Sequence, residues 1–249
     1  MILRIIFLIN STFLFSQNGD DIALMIENRK VPKMLSNTIN MTLTNSKGKI
    51  RTNKMISKSI DKNRKQIIWF LEPKDDRGIA FLKIENDGKE DEMRMWLPAF
   101  KKIRRISARK KGDSFMGSDL SYEDLSSREL DDSYYKRLDD EMLFEEDCFV
   151  IETIPKEETN SFYSKHISWI DKHKLILLSE HSFNKKGLLE KKKEFKYIKF
   201  QDYHLVKRVL VDNIIEQHKT EILFSDVKID KGVENDSFHE KNLKRLPMY

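Results

Sequence analysis

Apolar and polar residues alternate along most of the chain, which is the pattern of strands with one buried face. Residues 38–44 show it most clearly, because Ile39, Met41 and Leu43 are separated by polar residues. Residues 67–71 are continuously apolar, which indicates a strand buried on both faces. The pattern predicts strands over residues 38–44, 50–60, 67–71, 79–84, 93–97, 101–107, 145–154, 161–170, 175–183, 189–200, 205–213 and 220–227.

Short polar stretches separate these segments and predict turns between antiparallel neighbours. Lys47-Gly48-Lys49 and Asn86-Asp87-Gly88 contain glycines that favour tight turns. Pro98 has no amide hydrogen to give to a strand partner, so it predicts a hairpin between residues 93–97 and 101–107. Residues 133–140 are polar and carry no strand pattern.

Helical spacing occurs at three places. Residues 20–30 follow the capping residue Asn18 and predict a helix that packs on the sheet. Ser118-Asp119 precede a partly helical apolar pattern, which predicts a short helix within residues 118–127. Residues 235–246 predict a short closing helix.

The first 16 residues have the features of an export signal. Arg4 precedes an apolar run that is too short to span a bilayer, and Ser16 is a small residue before a polar stretch. These features predict a signal peptide over residues 1–16, and a single β domain over residues 17–249 in the periplasm. Asn10, Ser11 and Thr12 interrupt the apolar run, so an uncleaved amphiphilic anchor remains an alternative.

Composition favours a sheet with one solvated face. Charged residues make up 35% of the chain and hydrophobic residues 39%, which is a lean apolar fraction for a closed core. The net charge is +5, with 46 basic and 41 acidic residues, and this mixed surface does not predict nucleic-acid binding. Residues 191–193, three consecutive lysines, are interpreted as a solvated strand end.

Motifs of hydrolases and metal sites are missing from the sequence. It contains no G-x-S-x-G elbow, no H-E-x-x-H, no glycine-rich phosphate loop and no C-x-x-C. The acidic clusters match no calcium-loop pattern. Cys148 is the only cysteine, and its apolar neighbours predict a buried thiol. We therefore expect no catalytic residue, no metal and no cofactor.

Methionine and aromatic residues are frequent on the predicted strands. Methionine adapts its shape, which suits variable acyl chains, and aromatic rings supply contact area at low entropic cost. An ordinary core would use the same residues. On composition alone, a lipid cavity and an ordinary core are equally supported.

The run W-L-P-A-x-x-K-x-R-R-I at residues 96–106, followed by G-D-S-F-M-G-S-D-x-S-Y-E-D-L at residues 112–125, is long and unusual. It resembles the outer-membrane lipoprotein-sorting protein family, relatives of the periplasmic lipoprotein carriers LolA and LolB. The resemblance implies a mainly β fold, in which a curved antiparallel sheet of about 11 strands forms an unclosed β-barrel and helices cover the concave face.

The resemblance also implies a function. The protein would be a monomeric periplasmic carrier that binds lipid or lipoprotein acyl chains in a hydrophobic cavity and moves them toward the outer membrane, between an inner-membrane transporter and an outer-membrane acceptor. A periplasmic module that senses lipid or lipoprotein and binds an envelope protein partner is the alternative. A hydrolase of envelope lipids is a third possibility, for which the sequence offers no nucleophile.

Three groups of residues are predicted to form the site. The cavity would be lined by Met41, Leu43, Ile68, Trp69, Phe70, Phe81, Met95, Trp96 and Trp169. A lid with its hinge would contain Gly112, Phe115, Met116, Gly117, Leu120, Tyr122 and Leu125. Headgroup or partner contacts would come from Arg94, Lys101, Arg104 and Arg105. The basic residues of this hairpin equally fit a charged edge that prevents association between sheets.

Overall fold

The computed structural model of the protein describes residues 17–86, 91–233 and 235–247. Two sequence predictions lie outside these residues: the signal peptide over residues 1–16 and the turn at Asp87-Gly88. None of the described helices has the length and apolar character needed to cross a membrane.

The described strands form one long, curved, antiparallel sheet that does not close into a barrel. Its order is β6-β5-β4-β3-β2-β1-β14-β13-β12-β11-β10-β9-β7, and β8 pairs with β9 beside this path. The strands are β1 (Met34–Thr44), β2 (Ile50–Ile60), β3 (Lys65–Glu72), β4 (Ala80–Ile84), β5 (Glu92–Leu97), β6 (Lys102–Ile106), β7 (Ser133–Arg137), β8 (Glu141–Leu143), β9 (Glu146–Pro155), β10 (Tyr163–Asp171), β11 (Leu177–Asn184), β12 (Leu189–Phe200), β13 (Tyr203–Asn213) and β14 (His218–Ile229).

The predicted fold class is confirmed, although the sheet has 14 strands rather than about 11. The sequence pattern does not predict β7 and β8. Both are short and neither contains a buried apolar residue, so they carry little of the apolar alternation that identifies a strand. Their pairing with β9 supplies the hydrogen bonds that define them.

The connection between β6 and β7 has to cross the molecule, because these strands lie at opposite ends of the sheet. It comprises residues 107–132, which we call the strap. The face of the sheet that the strap crosses is called the inner face, and the opposite face is the outer face.

Strand register decides which side chains share the inner face. Ile39 lies opposite Met55, Met55 opposite Phe70, and Ile68 opposite Phe81. Burying one such side chain contributes roughly 1.5–3 kcal/mol. The inner core contains Ile39, Met41, Leu43, Met55, Ile68, Phe70, Phe81, Met93, Met95, Ile106, Phe115, Tyr122, Val209, Val211 and Ile222.

A second core covers the outer face of β3 and β4. Ile67, Trp69 and Leu82 alternate with inner-face residues and pack against the C-terminal segment through Phe238 and Leu243. The closing helix predicted over residues 235–246 is instead two 3₁₀ segments, Asn235–Phe238 and Glu240–Lys244. β3 is apolar on both faces because this C-terminal segment covers its outer face.

The predicted N-terminal helix is confirmed as α1 (Gly19–Glu27). Asn18 and Asp21 form a reciprocal capping box at its start. Ile22 packs on the inner face beside Phe149, in a cluster at the β9–β10 end of the sheet. A Cβ at Gly19 would lie 2.5 Å from the Tyr135 carbonyl oxygen, so glycine allows the helix to approach β7 closely.

The prediction of a helix within residues 118–127 is wrong. The strap instead has a β-bridge between Ser114 and Ser121 and a 3₁₀ turn at Glu123–Leu125. The Ser121 hydroxyl accepts a hydrogen bond from the Asp124 amide at 3.1 Å, and such a local bond competes with helix formation. The inner face is therefore covered by α1 at one end and by an irregular strap elsewhere. The other 3₁₀ segments are Pro98–Phe100, Ala108–Lys110, Leu130–Asp132 and Glu157–Thr159.

Candidate functional site

Aromatic contacts fix the first part of the strap to the inner face. The ring of Phe115 is 5.3 Å from that of Phe81 and 6.1 Å from that of Phe70, measured between centroids. Tyr122 is 5.8 Å from both Phe115 and Phe81. Aromatic pairs at such distances add about 0.5–1.5 kcal/mol each beyond the area that they bury.

A hydrogen-bonded group links the strap to β14 next to these rings. The Asp119 amide donates to the Thr220 hydroxyl at 2.9 Å, and that hydroxyl donates to the Asp119 carboxylate at 2.7 Å. Nδ1 of His218 is 2.7 Å from the same carboxylate oxygen. Asp119 and Thr220 are both buried, so these bonds position the strap in a site that excludes water.

Asp124 fixes the strap to the middle of the sheet. Its carboxylate accepts hydrogen bonds from Lys191 at 3.1 Å and from the Tyr163 hydroxyl at 2.9 Å, and it also pairs with Lys193. Burial alone would raise the pKa of Asp124, but Lys193 and Lys191 hold it well below its usual range. The carboxylate therefore remains ionised.

Glu180 and Arg128 complete an ionic cluster, which we define as Asp124, Arg128, Glu180, Lys191 and Lys193. Arg128 is exposed, whereas the other four side chains are buried. Lys193 donates to Glu180 at 3.1 Å, and Arg128 donates to Glu180 at 3.0 Å. Although burial opposes it, Arg128 and Lys193 lower the pKa of Glu180 well below its ordinary value. Arg128 belongs to the strap, so the cluster ties the strap to β11 and β12.

The interpretation of residues 191–193 as a solvated strand end is wrong for two of the three. Lys191 and Lys193 are buried on the inner face, and only Lys192 is exposed. Strand side chains alternate between faces, and β12 register places Lys193 opposite Glu180. Three consecutive lysines place lysine on both faces of the strand, so the sequence carries no signal for which of them are buried, and their acidic partners lie far away along the chain.

A second buried ion pair holds the strap near β4. Lys83 is fully buried, and its ammonium donates to Glu85 at 2.6 Å and to the Leu125 carbonyl at 2.7 Å. The amide of Ser127 donates to the same Glu85 carboxylate oxygen at 2.8 Å. Burial lowers the pKa of Lys83, and Glu85 opposes that shift.

Between the strap and the inner face lies a cavity of about 420 Å³, which we call the strap cavity. One wall is apolar, with residues such as Met41 and Ile222, and the other contains Asp124, Glu180 and Lys193 of the ionic cluster. The volume is within the range of small-molecule sites, roughly 300–1,000 Å³. The lining is Ile39, Met41, Met55, Asn63, Gln66, Ile68, Phe115, Leu120, Glu123, Asp124, Leu125, Ser126, Arg128, Leu177, Glu180, Lys193, Phe195, Val209, Ile222 and Phe224.

A neighbouring cavity, also about 420 Å³, lies beneath the linker of residues 28–33 between α1 and β1. We call it the linker cavity. It shares Asn63, Gln66 and Phe224 with the strap cavity. Its lining is Ile26, Glu27, Arg29, Val31, Pro32, Lys33, Leu35, Asn37, Ser57, Ser59, Ile60, Lys62, Asn63, Gln66, His204, Leu205, Val206, Phe224 and Val227. The two cavities are therefore adjacent.

A third cavity of about 590 Å³ has a different character. Most of its lining is polar or charged, including Glu85, Asp91, Glu129 and Asp132. This composition is unfavourable for an apolar ligand, because water would have to leave ionised groups.

The structure separates the predicted cavity residues by face. Met41, Leu43, Ile68, Phe70, Phe81 and Met95 belong to the inner core, and of these Met41 and Ile68 line the strap cavity. Trp69 and Trp96 lie on the outer face with the C-terminal segment. Trp169 belongs to a separate cluster, in which its indole donates to Glu141 at 2.7 Å.

Most predicted lid residues pack on the inner core. Phe115 and Tyr122 are buried there, with Met116, Leu120 and Leu125 against them. At Gly117 the backbone φ of 79° favours glycine. Gly112 packs against the Phe162 ring, which a Cβ would approach to 2.3 Å.

The predicted headgroup residues lie on the β5–β6 hairpin. Lys101, Arg104 and Arg105 are exposed. Arg94 donates to Glu92 at 2.8 Å and pairs with Glu240 of the C-terminal segment. The side chain of Arg94 therefore lies on the outer face. Contact of Lys101, Arg104 and Arg105 with a headgroup or partner stays a prediction.

Two further observations concern possible chemistry. Among the described residues, no group of three or more histidine, cysteine, aspartate or glutamate side chains could hold a metal ion. Cys148 is buried, as its apolar neighbours predict, and burial raises the pKa of its thiol. A neutral, enclosed thiol is a poor nucleophile.

Comparison with known proteins gives the following matches. A family model described as "-like: Uncharacterized protein" matches residues 62–245. A search of curated proteins finds no match. An outer membrane lipoprotein-sorting protein domain from Vibrio parahaemolyticus is 32% identical, with 91% of this chain and 98% of that one covered and a TM-score of 0.86.

Two other solved structures are similar over nearly their whole length. A DUF1329 family protein from Desulfovibrio piger is 27% identical, with 90% and 97% of the two chains covered and a TM-score of 0.84. A LolA superfamily protein from Nitrosomonas europaea is 15% identical, with 91% and 99% covered and a TM-score of 0.72. The last similarity concerns the fold.

Proposed function

The chain belongs to the outer-membrane lipoprotein-sorting protein family, and from this premise we propose that it is a periplasmic carrier of lipid or of lipoprotein acyl chains. In this proposal the acyl chain lies in the strap cavity, and the protein moves it toward the outer membrane. The protein acts as a binding protein rather than an enzyme.

The strap cavity is the observation that carries this proposal. It lies on the inner face, it is bounded by the apolar side chains of β1, β2, β3, β13 and β14, and its volume is about 420 Å³. Transfer of an acyl chain out of water contributes roughly 0.8 kcal/mol per CH₂. A long chain would therefore bind without a specific polar contact.

The strap supplies the cover that such a cargo needs. Phe115, Leu120 and Leu125 belong both to the strap and to the cavity lining, so displacement of the strap would open the cavity. Buried ion pairs contribute little net stability, because desolvation offsets their attraction. We infer that the ionic cluster sets the position of the strap, while its aromatic contacts hold it down.

The remaining parts of the proposal concern cellular context. Residues 1–16 act as an export signal, and residues 17–249 form the working domain. The protein functions as a monomer between an inner-membrane transporter and an outer-membrane acceptor, and exposed Lys101, Arg104 and Arg105 contact a headgroup or partner.

Native mass spectrometry of protein purified from an exporting host tests the proposal. We expect about one lipid per chain, which organic extraction would identify. Ile222→Phe should reduce the lipid-bound fraction several-fold, because the larger ring fills the strap cavity. Leu223→Phe is the matched control: Leu223 is the next residue of β14, is 40% exposed and should leave loading unchanged.

Two results would contradict the carrier proposal. One is a wild-type protein that is free of lipid and takes up no fluorescent fatty acid. The other is stable co-purification of one envelope protein with an empty cavity, which would support the sensing module instead.

A further inference from the structure

A polar strip interrupts the apolar inner face beside the strap cavity. We define it as Asn37 of β1, Ser57 and Ser59 of β2, and Gln66 of β3. Register makes these side chains neighbours, because Asn37 lies opposite Ser57 and Ser59 lies opposite Gln66. The Gln66 amide nitrogen also donates to the Ser57 hydroxyl at 3.3 Å.

Three of the four residues of the strip are buried and Gln66 is half-buried, yet not all of their hydrogen-bonding groups are satisfied. Asn37, Ser57 and Ser59 are 8%, 3% and 5% exposed, respectively. The side-chain oxygens of Asn37 and Gln66 are enclosed and have no hydrogen-bond partner among the residues that the structure describes. A buried polar group without a partner costs on the order of 1–3 kcal/mol, and such groups are rare enough in native proteins to need an explanation.

The position of the strip suggests the explanation. All of its residues line the linker cavity, and Gln66 lines the strap cavity as well. Apolar residues lie on both sides: Ile39 and Met55 form the next inner-face row toward the strap, and Leu35 lies toward the linker. A ligand that extends through both cavities would meet apolar surface, then polar groups, then apolar surface again.

We propose that the polar strip is a subsite that selects amphiphiles with a neutral hydrogen-bonding group between two apolar segments. An amide or a hydroxyl would qualify, because each has a hydrogen that it can donate. Such a group would donate a hydrogen bond to the unpaired side-chain oxygen of Asn37 or of Gln66. A plain alkyl chain would leave both of these oxygens unpaired. The inference rests on the proposed function, since it concerns what the same inner face accepts.

Two fatty acids of equal length test this selectivity. The lipid-stripped protein is loaded with the fluorescent probe 11-(dansylamino)undecanoic acid, which is then displaced by octadecanoic acid or by 12-hydroxyoctadecanoic acid. The measured quantity is the ratio of the two displacement constants. Asn37→Leu and Gln66→Met replace the amides with apolar side chains of similar length. In these variants the affinity for the hydroxy acid should fall about fivefold relative to that for the plain acid, as expected for one hydrogen bond.

Met55→Leu is the matched control, because Met55 lies on the same face in the adjacent apolar row. It should change both constants together and leave their ratio unaltered. An unchanged ratio in Asn37→Leu and Gln66→Met would overturn the subsite. Failure of the carrier proposal is distinguishable, since the wild-type protein would then bind neither the probe nor the acids.

Thermal unfolding of the ligand-free protein gives a second readout. Asn37→Leu removes an unpaired buried amide oxygen, so the midpoint should rise by about 2–4 °C. A selectivity that falls while stability rises is the behaviour of a binding group. A lower midpoint would show that Asn37 supports the fold, and would also overturn the proposal.

Discussion

His166 is an example of a residue whose properties come entirely from its neighbours. It is buried on β10, with Nδ1 2.9 Å from the Ser182 hydroxyl and 3.7 Å from Glu180. Burial and the nearby Arg128 lower its pKa to about 3. The imidazole is therefore neutral in the folded protein at every physiological pH.

This histidine makes stability depend on pH. Because its pKa is about 3 in the folded protein, against an ordinary value of 6.5, the unfolded chain takes up the proton first. The part of the free energy of unfolding that depends on a neutral His166 is fully present above pH 6.5. It is lost as the pH falls from 6.5 toward 3, at about 1.4 kcal/mol per pH unit. The free energy of unfolding in urea, plotted against pH between about pH 5.5 and pH 4, should have a slope that His166→Gln reduces by this amount.

His239→Gln is the control, because His239 is 62% exposed in its side chain and lies in the C-terminal segment. The same slope in wild-type protein and in His166→Gln would contradict the assignment of this acid sensitivity to the buried ring.

At the scale of elements, the strap both connects β6 to β7 and covers the inner face of the sheet. It has little regular structure, yet its backbone is ordered by bonds such as that from the Phe115 amide to the Leu120 carbonyl at 2.7 Å. Its fixation to the sheet depends on side chains, chiefly Phe115, Asp119 and Asp124. Such a segment can open while the sheet stays intact.

Phe115→Ala tests whether the strap opens independently. Removing a buried phenylalanine costs about 3–5 kcal/mol, and that loss should fall mainly on strap closure. Hydrogen exchange should accelerate at strap amides such as those of Phe115 and Tyr122, while amides of β1 and β2 remain protected. Phe100→Ala, at a residue that is 70% exposed, should change neither region. Uniform acceleration through the sheet would contradict separate opening.

At the scale of the whole molecule, one sheet has two covers with different roles. The strap and α1 cover the inner face, where the cavities lie, and the C-terminal segment covers the outer face of β3 and β4. The Trp69 indole donates to the Asn242 carbonyl at 3.2 Å, which fixes that second cover. The outer cover is therefore expected to serve stability alone.

Leu243→Ala separates these roles. Leu243 is 1% exposed, so its truncation should cost about 2–5 kcal/mol and shift tryptophan emission to the red as Trp69 becomes hydrated. Lipid loading measured by native mass spectrometry should not change. Leu246→Ala, at a residue that is 38% exposed, should leave both measurements as in wild-type protein, and a folded Leu243→Ala protein without lipid would contradict a purely structural role.

Local sequence patterns are sufficient to predict most of the strands and many of their boundaries. Ile50–Ile60 has the predicted bounds, and the hairpin around Pro98 occurs where proline predicts it. The reason is that strand alternation and proline geometry act over a few neighbouring residues. The motif at residues 96–125 is also local, and it is sufficient to indicate the family.

The face that each side chain serves, and what covers that face, depend on the tertiary structure. Trp69 and Phe70 are neighbours in an apolar run, and the sequence does not distinguish their roles, yet one meets the C-terminal segment and the other meets the strap. Lys191 is buried beside Asp124, whereas Lys192 is exposed. These outcomes depend on segments tens of residues away, because a strand supplies two faces while the path of the chain supplies their partners.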